Sequence, residues 1–343
     1  MKKLPLLCLL LLVTGLSFAQ GNFRFEKNEA KKQVDLFYHN QLLTSYCYYD
    51  SVMKPILFPI NTPDGIAITR GYPLAPRAGD RTDHPHHTGL WLNYESVNGL
   101  DFWNNSTAIA ADKKQNYGII KHVAILSTTT DKNTAKLVAS AEWTRPDGHV
   151  LIKEITSFVF SVKGTQFFID RNSELVANDL PVVFKDVKDG VLGIRLAREL
   201  EMPSKEPGMF VDAQGNLTKV PVDNNGVTGM YLSSEGKKGD SVWGTKSPWA
   251  LIEGKRAGKE ITVAIIDHPA NKGYPTYWHA RGYGLFAANP FGRKIFSNGK
   301  EELNLSLQPG EKINLRYAVL VQSGTPPTMD EMNRIAKAFG ERR

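Results

Sequence analysis

Three of the eight histidines in this 343-residue chain stand at positions 84, 86 and 87, inside Asp83-His84-Pro85-His86-His87-Thr88-Gly89-Leu90-Trp91. An imidazole with its ordinary pKa of about 6.5 exchanges protons at neutral pH. His84, His86, His87 and the distant His279 are therefore the candidate acids and bases. A second chemistry is open to the same set. His84, His86 and Asp83 carry the donor types that hold a divalent transition metal with one position left for water. The spacing matches no HExxH helix, and the cofactor question stays open between none and a divalent metal. In an extended segment alternate residues share a face, which predicts that His84 and His86 point together and His87 away. Pro85 blocks a regular central ladder, so the segment reads as a loop entering a strand at Leu90.

A second polar group lies in Asp267-His268-Pro269-Ala270-Asn271 and continues as Tyr277-Trp278-His279-Ala280-Arg281-Gly282-Tyr283. On a strand, Tyr277, His279, Arg281 and Tyr283 would line one face, as a pocket for a polar ligand requires. Arg70 and Arg195 are further cations suited to an oxygen-rich ligand, and Asp186 and Asp189 are carboxylates able to act as acid or base. Trp91 and Trp103, with Trp243, Trp249 and Trp278, offer flat apolar faces on which the C–H surface of a sugar stacks, in competition with a plain core role. His39, His122 and His149 read as surface or turn residues.

The elements that must place these groups show a period of two. Gln33–Tyr38 and Leu42–Tyr46 flank a turn at His39-Asn40; Ala135–Trp143 and Leu151–Val162 flank Arg145-Pro146-Asp147-Gly148, a tight-turn sequence. Strand texture returns at Gln166–Leu175, Met230–Ser233, Ile261–Asp267, Leu303–Leu307 and Ile313–Gln322. The C-terminus alone reads as helix: Thr328 and Glu331 form a capping box ahead of Met329, Met332, Ile335, Ala336 and Phe339 on one face. Residues 1–19, with Lys2, Lys3, an apolar run from Leu6 to Val13 and Ser17-Phe18-Ala19, read as a signal peptide. The expectation is an exported chain, periplasmic or secreted, whose residues 20–343 form one all-β domain, a large antiparallel β-sandwich with a C-terminal helix. No later stretch is long and apolar enough for a membrane-spanning helix.

The net charge of +7 is scattered in isolated pairs such as Lys113-Lys114 and Lys237-Lys238, which argues against nucleic-acid binding. Of the two cysteines, Cys8 falls in the leader, so Cys47 has no partner for an internal disulfide.

The histidine run, Val97-Asn98-Gly99-Leu100-Asp101-Phe102-Trp103, Pro63–Arg70, Gly190–Ala197 and the blocks from Asp267 to Leu285 together resemble the exported bacterial family labelled PmoA-like. That resemblance implies a sandwich similar to the galactose mutarotase supersandwich, an occurrence beside polysaccharide-use genes, and acid–base roles for His84, His86, His87 and His279 with Arg281 as a substrate contact. The label's link to a methane oxygenase subunit conflicts with the lack of spans. The expected activity is hydrolysis, elimination or epimerisation of a glycoside or modified sugar, with Arg70, Trp91, Trp103, Arg195, Tyr277, Arg281 and Tyr283 as substrate contacts. The rival is a non-catalytic periplasmic glycan-binding protein. The sequence leaves the oligomeric state open.

Overall fold

The computed structural model of the protein describes residues 22–342, so the signal-peptide reading of residues 1–19 lies outside the described residues. In chain order the described residues form β1 (Phe23–Asn28), β2 (Gln33–Tyr38), β3 (Gln41–Cys47), β4 (Ile56–Ile60), β5 (Leu90–Tyr94), β6 (Ile119–Thr130), β7 (Thr134–Thr144), β8 (Val150–Lys163), β9 (Gln166–Ala177), β10 (Val182–Phe184), β11 (Gly190–Arg195), β12 (Gly208–Val211), β13 (Leu217–Val220) and β14 (Met230–Ser233). They continue as β15 (Trp249–Arg256), β16 (Lys259–Asp267), β17 (Tyr277–Arg281), β18 (Leu285–Asn289), α1 (Arg293–Phe296), β19 (Leu305–Leu307), β20 (Lys312–Ser323) and α2 (Met329–Gly340).

Two eight-stranded antiparallel sheets dominate. The first runs β1-β2-β3-β4-β5-β11-β18-β17 and the second β14-β15-β16-β20-β9-β8-β7-β6. Alternation decides which side of each strand is buried. Ala135, Leu137, Ala139, Ala141 and Trp143 of β7 and Phe158 and Phe160 of β8 face Leu36, Leu57, Leu92, Ile194 and Phe286 of the first sheet in one continuous core. The protein is thus the expected large antiparallel β-sandwich.

A polar network on β7, β8 and β9 of the second sheet is buried in this core. Glu154 accepts from Trp143 Nε1 (2.7 Å), Thr156 Oγ1 (2.5 Å) and the Arg171 guanidinium (3.1 Å). Burial without such partners would cost several kcal/mol, and each partner satisfies one otherwise stranded group.

The outer faces of the two sheets are covered differently. On the second, α2 lays Met332 and Phe339 on Trp249, Leu251, Ala264, Ile266 and Leu320. Thr328 and Glu331 cap it reciprocally, as the spacing predicts. On the first, a smaller apolar patch of Cys47, Ile56, Phe58, Trp91, Trp103, Leu285 and Ala287 remains, and the candidate site is built on it. β11 forms although its two glycines, Gly190 and Gly193, weaken the strand signal in the sequence. The strand at Leu303 begins two residues later, at Leu305.

Candidate functional site

Neighbouring strands place Trp91 of β5 opposite Gly193 of β11, Gly193 opposite Ala287 of β18, and Ala287 opposite His279 of β17. The small residues in that row leave room for an indole. A Cβ on Gly193 would fall 2.6 Å from Trp91 Cζ2 and 2.9 Å from Trp103. On Trp91 lies the ring of His87 (centroids 5.3 Å, planes 14° apart), on His87 that of His84 (4.8 Å, 6°), and on His84 that of Tyr283 (5.0 Å, 8°). This pile of four nearly parallel rings climbs from the sheet to the surface.

The histidine loop is a turn, which corrects the expected alternation. The His87 N–H donates to the His84 carbonyl (3.0 Å), reversing the chain so that all three imidazoles face one another instead of two against one. His84 itself has φ of 46°, in the left-handed region that non-glycine residues rarely occupy and that is held only when the surroundings over-determine it.

The surroundings here are two arginines. Arg70 donates to the carbonyls of Arg81, Asp83, His84 and His87 and to Asp83 Oδ1 (2.9 Å). Arg195 donates to the same Oδ1 (2.7 Å) and lies 3.3 Å from His87 Nδ1. Their exposures of 1% and 0% place them beneath the loop as its scaffold, out of reach of a ligand, which corrects the expectation of direct substrate contacts. Trp91 and Trp103, at 0% and 1%, present no open face to a sugar either, because the ring pile and the sheet cover both sides.

Asp83 joins the scaffold to the surface. Its Oδ2 lies 2.8 Å from His84 Nδ1, in a carboxylate–imidazole dyad whose imidazole is substantially exposed. Burial works against the Asp83 charge. The His84 hydrogen bond and the Arg195 and Arg70 guanidiniums outweigh it and hold the carboxyl well below the usual carboxylate range. The two deeper imidazoles are kept neutral, since burial is the main force that drives both His86 and His87 far below the ordinary histidine range.

His279 is 3% exposed, with Nδ1 3.2 Å from Asp189 Oδ1 and its ring against Phe296 of α1. Burial lowers its pKa, and the Asp189 partner resists. Tyr277 stacks on the same Phe296 and donates its hydroxyl to Glu301 (3.2 Å). Asp186 accepts from the backbone N–H groups of Lys294 and Leu303 and serves the structure. Trp278 and Ala280 enter the central core, so β17 alternates as predicted through Arg281. Tyr283 lies beyond the end of the strand and reaches the ring pile through the turn closed by Gly284 N–H on the Arg281 carbonyl (2.9 Å).

A cleft of about 700 Å³ opens beside this pile, lined by Arg81, Asp83, Asp240, Trp243, Arg281 and Tyr283 among others. The exposed Arg281 guanidinium stands 6.0 Å from the Trp243 ring and 5.9 Å from that of Tyr283. His84 adjoins the cleft through two of its lining residues, bonded to Asp83 and stacked on Tyr283. Asp240 and Arg81 gave no signal in the sequence, because single polar residues in loops become a site only when the fold gathers them. Lys54 was missed for the same reason. It is 3% exposed, donates to the His86 carbonyl (2.8 Å), and burial draws its pKa down to about 7.

The donor set does not fit a divalent metal. Among the described residues no three His, Cys, Asp or Glu side chains converge on one point, and Asp83 already faces two fixed guanidiniums that would repel a cation.

Residues 33–337, which enclose every block quoted above from Pro63 to Leu285, match the model of a family of unknown function, DUF6807. The chain belongs to DUF6807. This overturns the resemblance to the PmoA-like family, which nothing else indicates. No curated protein matches the DUF6807 chain. Among solved structures, the Slr1438 protein from Synechocystis sp. PCC 6803 is similar at 11% identity and TM-score 0.33, over 91% of this chain and 99% of that one. Galactose 1-epimerase from Lactobacillus acidophilus NCFM is similar at 12% identity and TM-score 0.34, over 89% and 100%. The galactosidase domain of an alpha-galactosidase-sucrose kinase is similar at 10% identity and TM-score 0.40, with 88% of this chain covering 42% of that one. At this level the likenesses bear on neither activity nor substrate. No helix among the described residues is long and apolar enough to cross a membrane.

Proposed function

We propose that this DUF6807 chain is an exported enzyme that performs acid–base chemistry on a carbohydrate in the cleft beside the histidine turn. The observation that carries the reading is the Asp83–His84 dyad. A solvent-reaching imidazole is oriented by a carboxylate that two buried arginines fix, on a backbone held in a rarely populated conformation. Such a constellation keeps one ring nitrogen paired and leaves the other free to take or give a proton. Tyr283 and Trp243 give the cleft aromatic walls, and Arg281 and Asp240 give it a donor set and an acceptor, the mixture that a polyhydroxylated ring requires. His84 is the acid–base group in this reading. His86 and His87 position it, and His279 braces β17 against α1.

The test is a proton NMR time-course of the purified chain with a panel of neutral and acidic oligosaccharides. Signals that grow with time and vanish in His84→Ala identify an enzyme. Ligand signals that only broaden, equally for His84→Ala, identify a glycan-binding protein and remove the catalytic role.

A further inference from the structure

We infer that the sugar received by this cleft carries a carboxylate, held by Arg281, and that the reaction is β-elimination; this rests on the acid–base reading above and specifies its substrate class. Beneath the cleft, Arg70, Arg81 and Arg195 are shared between only two carboxylates. Arg81 Nε donates to Glu201 Oε2 (2.7 Å), Arg70 and Arg195 converge on Asp83, and Arg195 stands 3.9 Å from Glu201 Oε1. Arg70, Arg195 and Glu201 are almost fully buried, so this surplus of one guanidinium is poorly screened. Burial raises the pKa of Glu201 against the two arginines beside it. Lys205, Asp240 and Glu206 also line the cleft, and with them and Arg281 counted the balance remains one positive charge in excess.

Arg281 supplies the second, independent observation. It forms no ion pair among the described residues, and its guanidinium lies over Trp243 and Tyr283 at the open end of β17. An arginine held against aromatic faces is a pre-organised fork for a planar carboxylate. Every other arginine named at this site is already committed to the protein.

A carboxylate neutralised by Arg281 has an acidified C–H on the carbon next to it. His84, oriented by Asp83, removes that proton. The C–H electron pair becomes a C=C bond to the next ring carbon, and the C–O bond there breaks. The departing oxygen takes a proton from the Tyr283 phenol, which burial keeps protonated. The proton on His84 returns through solvent to Tyr283. One bond to hydrogen and one to oxygen are lost, one C=C is gained, and the products are an unsaturated acidic sugar and a sugar with a free hydroxyl. No water, oxidant or metal is consumed.

The experiment incubates the full chain with oligomers of galacturonate, glucuronate and mannuronate and with the same oligomers after carboxyl reduction. It follows the near-ultraviolet absorbance of the conjugated enoate and the vinyl proton signals. The expected result is growth of both with at least one acidic oligomer and none with its reduced form. Arg281→Gln should lower kcat/KM at least 100-fold with an unchanged melting temperature, and Arg281→Lys should recover part of it. Turnover of the reduced oligomers, with Arg281→Gln unimpaired, overturns the carboxylate inference while the acid–base reading stands. New anomeric signals on an acidic oligomer without vinyl signals overturn the elimination step. Binding without turnover on every arm, insensitive to His84→Ala, overturns the inference and the acid–base reading together.

Discussion

At the residue scale, the site depends on how Asp83 divides its two oxygens, one given to arginines and one to His84. Asp83→Asn keeps the shape and removes the charge that both guanidiniums face. Turnover on whichever oligosaccharide is active should fall by about 10²-fold or more, the range a positioned acid–base group contributes, with KM changed much less. Steady-state kinetics on the variant check this, and an unimpaired kcat would remove the dyad from the mechanism. The residues of the dyad were legible in the sequence, since His84 and Asp83 stand out by type alone. Their partners were not. Arg70 and Arg195 looked like ligand contacts because an arginine far from any motif carries no mark of burial, and only the fold shows that both are consumed by carbonyls and by Asp83.

At the scale of elements, the ring pile stands on the absence of a side chain in β11. Gly193→Ala would drive a methyl group into Trp91 and Trp103, and neither indole can retreat, since both are buried. Overpacking of this kind costs about 1–3 kcal/mol. It should also displace His87 and His84, so activity should fall more than stability alone explains. Denaturant unfolding paired with kinetics separates the two effects, and a variant of unchanged stability and activity would show that the pile yields freely.

β16 ends on a different device. Asp267 accepts from Asn271 Nδ2 (2.7 Å) and the Thr276 N–H (2.8 Å), fastening the loop that leads into β17. Burial raises its pKa to about 7 in spite of those bonds. In the unfolded chain an aspartate titrates near its ordinary value of about 3.9, so between that value and about 7 the folded state binds more protons. Stability should therefore decline as pH rises through that window and level off above it, by at most about 4 kcal/mol from this group. Urea unfolding at pH 5 and pH 8 measures the difference. Asp267→Asn should remove most of it, and an identical pH dependence in the variant would count against this role for Asp267.

At the scale of the molecule, the two sheets are joined by apolar contact, and the second sheet buries its Glu154–Arg171 network in that core. Glu154→Ala strands the Arg171 guanidinium and two further donors in the core. It should cost about 3–5 kcal/mol, the range found when one member of a buried ion pair is removed. Replacing both Glu154 and Arg171 by methionine should cost less than the single change, because no charge is then left unpaired. Melting temperatures of the single and double variants decide the matter, and additive losses would mean that the pair is not coupled.

The sequence by itself determined the class of the molecule. Period-two alternation in the long strands β7, β8, β9 and β20 requires a sheet with one buried face, and the Thr328–Glu331 capping box with its apolar stripe requires a helix at the end. Both signals are local, carried by residues two, three or four apart. The same locality marked the histidine run as the place where chemistry is concentrated. Tertiary structure decided what the sequence had no means to express. The loop folds as a turn instead of extending, because Arg70 collects its carbonyls from across the chain. β11 forms despite its glycines, because Tyr94 fills the space beside Gly190 and Trp91 and Trp103 that beside Gly193. Arg81, Asp240, Trp243 and Arg281 share one cleft although up to 200 residues separate them. Charge balance is a property of such a gathered set, and no window along the chain contains it.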